Sequence, residues 1–411
     1  MKKKLSLLIV GFLIWNQALG YGALSVRDLS LPKDFFPAPS PNVTIDSVQA
    51  DPAFPGFLTF SVTAPHGHYT VQGLSDLRQT LHEIDVIEKL NAQKEGTGGG
   101  MAAGAGESLK ETGRGAKNLV VHPVDSVKGV GKGIGKLGGK IGGVFQKKEE
   151  GEKGDSFLLG STKREIAKKL GVDVYSRNTY LQDKLEAMAK SRMGGRGVVM
   201  VAEFLIPVGL IVSVALTASG LNSAADELVN DNDRSDLFKL NEKALIKAGF
   251  TQEKATRLLN HPYYTPRELT YLRFYFEKLQ GVQGIRALLD AAIAVAPGVP
   301  AQKFLHEMQI AAESMDTPPE VKGIQLTGEG VALEKEGTAV LITGYDYLDA
   351  SDFGKTLADQ AFGLKLKLGK KSVEIWNAGS VTTGFAALLL IKGIQSRRMC
   401  LFGKAALAEQ P

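Results

Sequence analysis

One cysteine in 411 residues, Cys400, excludes an intramolecular disulfide and any cysteine-built metal framework. Histidine is also scarce. His66 and His68 stand together, but His82, His122, His261 and His306 are scattered without ligand spacing, so the pair is expected to sit in a polar loop. The chain has no Gly-x-Ser-x-Gly, no Gly-x-x-x-x-Gly-Lys-Ser/Thr and no usable pairing of Cys400 with a histidine. These absences remove the common signatures of an activated nucleophile and of a phosphate-cradling loop. No cofactor is expected, and the balance leans away from an enzyme. No repeat with a period of 20 to 50 residues is evident, which argues against a solenoid.

Excess charge is lacking as well. Lys2, Lys3 and Lys4 precede an apolar run over residues 5–15 and small residues at Ala18 and Gly20, the pattern of an export signal cleaved after Gly20. Removing it takes away three lysines and no acid, which lowers the formal net charge from +5 to +2. That is not the overall charge of a nucleic-acid binder. The remaining basicity is concentrated between Arg114 and Lys148.

What is present is most ordered in residues 127–145. Lys128, Lys132, Lys136 and Lys140 recur every fourth position, and Val130, Ile134, Leu137 and Ile141 recur with them on the opposite side. Gly131, Gly135, Gly139 and Gly143 fill a third row. The spacing predicts a basic amphipathic helix with a glycine edge, suited to a membrane surface. Each interior glycine costs about 0.8–1 kcal/mol relative to alanine, so the helix would need a partner or a bilayer to stabilise it.

Elsewhere the patterning predicts an α+β fold, with a predominantly helical middle region, a short N-terminal strand pair and a small C-terminal α+β domain. The expected divisions are a signal peptide at 1–20, strands plus a helix at 21–94, and a Gly/Lys-rich linker at 95–154 containing the amphipathic helix. A helical domain at 155–320 and the C-terminal domain at 321–411 follow. Alternation in Leu58-Thr59-Phe60-Ser61-Val62 marks a strand, and Ser75 is placed to cap a helix reaching about Asn91. Thr265-Pro266-Arg267-Glu268 is a capping box with proline at the first helical position. The apolar stretch 198–218 is long enough to cross a bilayer, but Glu203, Pro207 and its basic N-terminal flank favour a buried hairpin or core helix.

Two weaker constellations carry possible chemistry. Asp231, Asp233, Ser235 and Glu242 stand at positions one, three, five and twelve of a calcium-loop pattern, although Asp236 takes the place of the turn glycine; the plain alternative is a helix capped by Asp233 or Ser235. Tyr263, Tyr264, Asp346 and Tyr347 would form a ligand cleft if the helical and C-terminal domains met there.

Several strings in order, Asn118-Leu119-Val120, Pro123-Val124-Asp125-Ser126-Val127-Lys128-Gly129, Gly171-Val172-Asp173-Val174-Tyr175-Ser176 and Asp346-Tyr347-Leu348, resemble a group of exported, functionally uncharacterised proteins of Gram-negative bacteria. The resemblance covers roughly residues 70–395. It implies a periplasmic or envelope location and brings no activity with it. The expectation is therefore a noncatalytic envelope protein bound peripherally to a membrane through residues 127–145, with a membrane surface or envelope protein as partner and no nucleic acid. The alternative is a soluble periplasmic ligand-binding protein or enzyme.

Overall fold

In a computed structural model the described residues are 40–96, 119–120, 155–193 and 220–399. The expected signal at 1–20, the segment 127–145 with its four lysines, and the apolar stretch 198–218 lie outside them. Of these described residues helix makes up 55% and strand 19%, an α+β fold.

The chain opens with an antiparallel meander, β1 (Thr44–Ala50), β2 (Leu58–Ala64) and β3 (Gly67–Gln72). In β2, Leu58, Phe60, Val62 and Ala64 point into the core and the residues between them point outward, the period of two that a half-buried sheet requires. A short β4 (Leu119–Val120) adds to β3 in parallel, so the expected strand pair is a four-stranded sheet. Helix α1 (Leu74–Gly96) starts directly after Gly73, one residue before the expected Ser75 cap, and runs past Asn91. Its apolar residues serve two cores: Leu77, Leu81 and Ile84 face the central one, while Val86 and Ile87 join α2 (Asp155–Leu170) and α3 (Thr179–Met193).

The helical layer continues with α4 (Gly220–Asp231), α5 (Arg234–Lys247), α6 (Gln252–Leu259), α7 (Pro266–Lys278), α8 (Ile285–Ala294) and α9 (Val299–Glu313). Residues 231–242 do not form the calcium loop that their spacing offered. Asp233 caps α5 by accepting from the Asp236 amide, and Ser235 and Glu242 lie inside that helix. Asp231 pairs with Lys168, and Glu242 accepts from the Thr256 hydroxyl. A helical backbone cannot wrap these oxygens around one ion.

The C-terminal part is a five-stranded mixed sheet. β5 (Val321–Leu326), β6 (Val331–Lys335) and β7 (Thr338–Thr343) are antiparallel; after β8 (Tyr347–Leu348), α10 (Asp352–Lys367) crosses over to β9 (Ser372–Asn377). β10 (Ser380–Val381) pairs with β8, and α11 (Thr383–Ile391) leads to β11 (Gln395–Arg398), giving the order β11-β9-β7-β6-β5. β7, β9 and β11 are parallel, which is why each needs a helical crossover. Leu333, Val340, Ile342 and Trp376 face the core shared with α9, and Ala332, Leu341, Val373 and Ile375 face α10 and α11. A single buried cluster joins the N-terminal sheet, the helical layer and one face of this sheet. Among the described residues no helix is long and apolar enough to cross a membrane.

Candidate functional site

Three helices carry polar side chains at helical spacing on faces that are otherwise apolar: Asp76, Thr80 and Glu83 on α1, Arg267, Tyr271 and Tyr275 on α7, and Gln302, His306 and Gln309 on α9. These stripes converge with Asp173, Tyr175, Ser176 and Arg177, from the loop between α2 and α3, around a cavity of about 40 Å³. That volume has room for on the order of three water molecules. The glycine turn entering α1 fixes one wall. Gly73 has a positive φ of 84°, and a Cβ there would lie 2.6 Å from Gln302 Nε2.

The cavity's charges are paired within the fold. Arg177 grips Glu268 with two bonds of 2.9 and 2.7 Å and also donates to the Tyr263 carbonyl at 2.8 Å. Arg267 grips Asp226 at 2.8 and 2.9 Å, and Asp173 lies 3.8 Å from the same guanidinium. Both forks are used on internal carboxylates, so neither is open to clamp an anion. Glu83 is different. Burial pushes its carboxyl up to about 7, against the opposing hydrogen bonds of Ser176 and Gln79. Burial also raises Asp173, against the Arg267 charge, and lowers His306. The lining therefore combines paired arginines with a carboxyl and an imidazole whose neutral forms burial favours.

One polar atom in the lining has no protein partner among the described residues. Gln302 is 4% exposed; its Nε2 donates to the Gln72 carbonyl at 3.2 Å, but its Oε1 accepts nothing. A buried carbonyl oxygen without a donor is costly, so the cavity favours a hydrogen-bond donor such as water, an ammonium or a small amine. Among the described residues no group of three or more His, Cys, Asp or Glu is placed to hold a metal ion.

The residues expected to form a ligand cleft lie elsewhere, and none lines the cavity. Tyr264 is buried and donates to the Ala301 carbonyl at 3.1 Å, and Tyr347 is buried in the core. Tyr263 is half-buried, with the Arg177 guanidinium 4.7 Å above its ring. Asp346 is a structural clasp whose two oxygens accept the Leu58 and Leu74 amides, each at 2.8 Å. His66 stacks on Tyr180 and bonds Glu88, and His68 bonds the Thr63 hydroxyl. Sequence reasoning overlooked Glu83, Arg177, Gln302 and His306. The signal for three of them was polar residues recurring at helical spacing within α1 and α9. Nothing local marks Arg177, whose partner lies 91 residues away. No family model, curated protein or solved structure matches the chain.

Proposed function

We propose that the protein is a noncatalytic cell-envelope component that associates peripherally with a membrane through residues 127–145. The observation that carries this reading is the row Lys128, Lys132, Lys136 and Lys140 opposite Val130, Ile134, Leu137 and Ile141. Each lysine close to an anionic surface contributes about 1 kcal/mol, which offsets part of the glycine penalty. The described elements that flank the segment in sequence are both part of the fold: β4 is paired to β3, and α2 has Ile166 and Leu170 fully buried. The test is vesicle flotation with all four lysines changed to glutamate. Binding to phosphatidylglycerol-containing vesicles is expected to fall at least tenfold, and wild-type binding to weaken with salt; equal flotation of the variant overturns the reading.

The unpartnered Gln302 oxygen favours a second reading, a periplasmic protein that holds a small hydrogen-bond donor in its cavity. Ammonium and methylammonium should then raise the unfolding temperature saturably, and Gln302→Leu should abolish that rise. A shift that grows linearly with salt, equal for sodium, would eliminate this reading.

A further inference from the structure

The outer surface of α10 and α11 is unusually apolar. Helix α11, Thr383–Ile391, contains no charged residue. Only Phe385 and Leu389 of it are buried, while Leu390 and Ile391 at its end are 78% and 84% exposed. On the neighbouring α10, Phe362 is 40% and Leu366 66% exposed. Lys392, directly after α11, bonds Asp359, about one turn before Phe362 and two before Leu366, so the end of α11 lies beside this half of α10 on the layer that covers the sheet. Exposed apolar side chains grouped on neighbouring helices in this way mark an interaction site.

Its rim is basic. Lys365 and Lys367 occupy the last turn of α10, and Lys370 and Lys371 follow. The acids on these two helices, Asp352 and Asp359, are neutralised by Lys355 and Lys392. Lys370 is engaged by Glu334, whereas Lys367 and Lys371 are exposed and have no acidic partner among the described residues. Apolar side chains ringed by free lysines complement an anionic lipid surface, where the chains enter the headgroup boundary and the ammonium groups meet phosphates. A two-fold dimer through the same patch would bring two basic rims together, with the acids of both helices already paired to Lys355 and Lys392.

We propose that this face of α10 and α11, with Phe362, Leu366, Leu390 and Ile391 inserted and Lys367 and Lys371 at the rim, docks on an anionic membrane surface. The inference rests on the peripheral-membrane reading but assigns a contact separate from residues 127–145. The test is flotation of the chain from residue 21 onward with phosphatidylglycerol/phosphatidylethanolamine vesicles and with phosphatidylcholine vesicles. It compares wild type, Leu390→Glu with Ile391→Glu, Lys367→Glu with Lys371→Glu, and the four-lysine variant of residues 127–145. The substituted patch positions are exposed, so unfolding temperatures should be unchanged, which separates loss of docking from loss of fold. Both patch variants are expected to lose at least tenfold in bound fraction on anionic vesicles, with wild type bound weakly to phosphatidylcholine. If both patch variants float as wild type while the four-lysine variant does not, this inference falls and the reading it rests on stands. If the four-lysine variant alone floats as wild type, the patch is the membrane contact and residues 127–145 are not. If wild type does not float, both fall. A wild-type dimer that becomes monomeric on Leu390→Glu with Ile391→Glu, without change in flotation, overturns the proposal in favour of self-association.

Discussion

Glu83 and Asp346 are carboxyls that the fold holds in its interior, each pushed up to about 7 by burial. Hydrogen bonds oppose the shift, from Ser176 and Gln79 at Glu83 and from the Leu74 and Leu58 amides at Asp346, but they do not cancel it. Because the folded value lies above the unfolded one, the folded state binds protons more tightly. The contribution to stability is fully present below the unfolded values near 4 and is lost as pH rises toward 7, with a slope of at most about 1.4 kcal/mol per pH unit for each group. Urea unfolding between pH 5 and 8 should show this decline. Glu83→Gln removes one of the titrating groups while retaining an oxygen for its donors. That variant is expected to flatten the decline and to exceed wild type in stability at pH 8 by about 1–3 kcal/mol; a wild-type pH profile in the variant would contradict the assignment.

At the scale of the element, α7 shows one residue serving two structures. Thr265 caps the helix, accepting from the Glu268 amide while the Glu268 carboxylate accepts from the Thr265 amide at 2.7 Å. The same carboxylate neutralises Arg177 from the loop between α2 and α3. Thr265→Ala should therefore cost about 1 kcal/mol, the ordinary value of a lost cap. Glu268→Ala should cost about 3 kcal/mol or more, because it also leaves a buried guanidinium unpaired. Denaturant unfolding of the two variants checks the order, and equal losses would mean that Arg177 finds another partner. The cap was plain in the sequence as Thr-Pro-Arg-Glu. The second role of Glu268 was not, since an ion pair across 91 residues leaves no periodicity in either segment.

Across the whole molecule, what could be read and what could not divide along the same line. Helix periods, caps and hairpin turns are properties of a dozen neighbouring residues, and they led to the α+β class with its helical middle. The parallel pairings of β4 on β3 and of β9 between β7 and β11 depend on which distant strand offers its edge, and no local pattern encodes that choice. The apolar positions of α1 were recognisable, but not that they divide between two cores. The cavity was missed for a related reason: Asp76, Glu83, Gln302 and His306 look like ordinary solvated helix residues until α1 and α9 turn them toward one another. Tyr263 and Tyr264 attracted notice as a cluster because aromatics stand out in a sequence, yet their rings are used in packing and in covering Arg177.

The clasp at Asp346 bears on the order in which the chain can mature. Its two acceptors complete the Leu58 amide from 288 residues away and the Leu74 amide from 272 residues away. A polypeptide emerging from its N-terminus offers those two amides first, and their acceptor follows only 272 residues after the second of them. The first hairpin therefore cannot reach its final, desolvated state while the chain is growing. Such long-range closure slows folding and leaves the early segments without their final partners in the meantime. Under the proposed export, a closing residue that arrives this late would keep the chain transport-competent by virtue of its own topology.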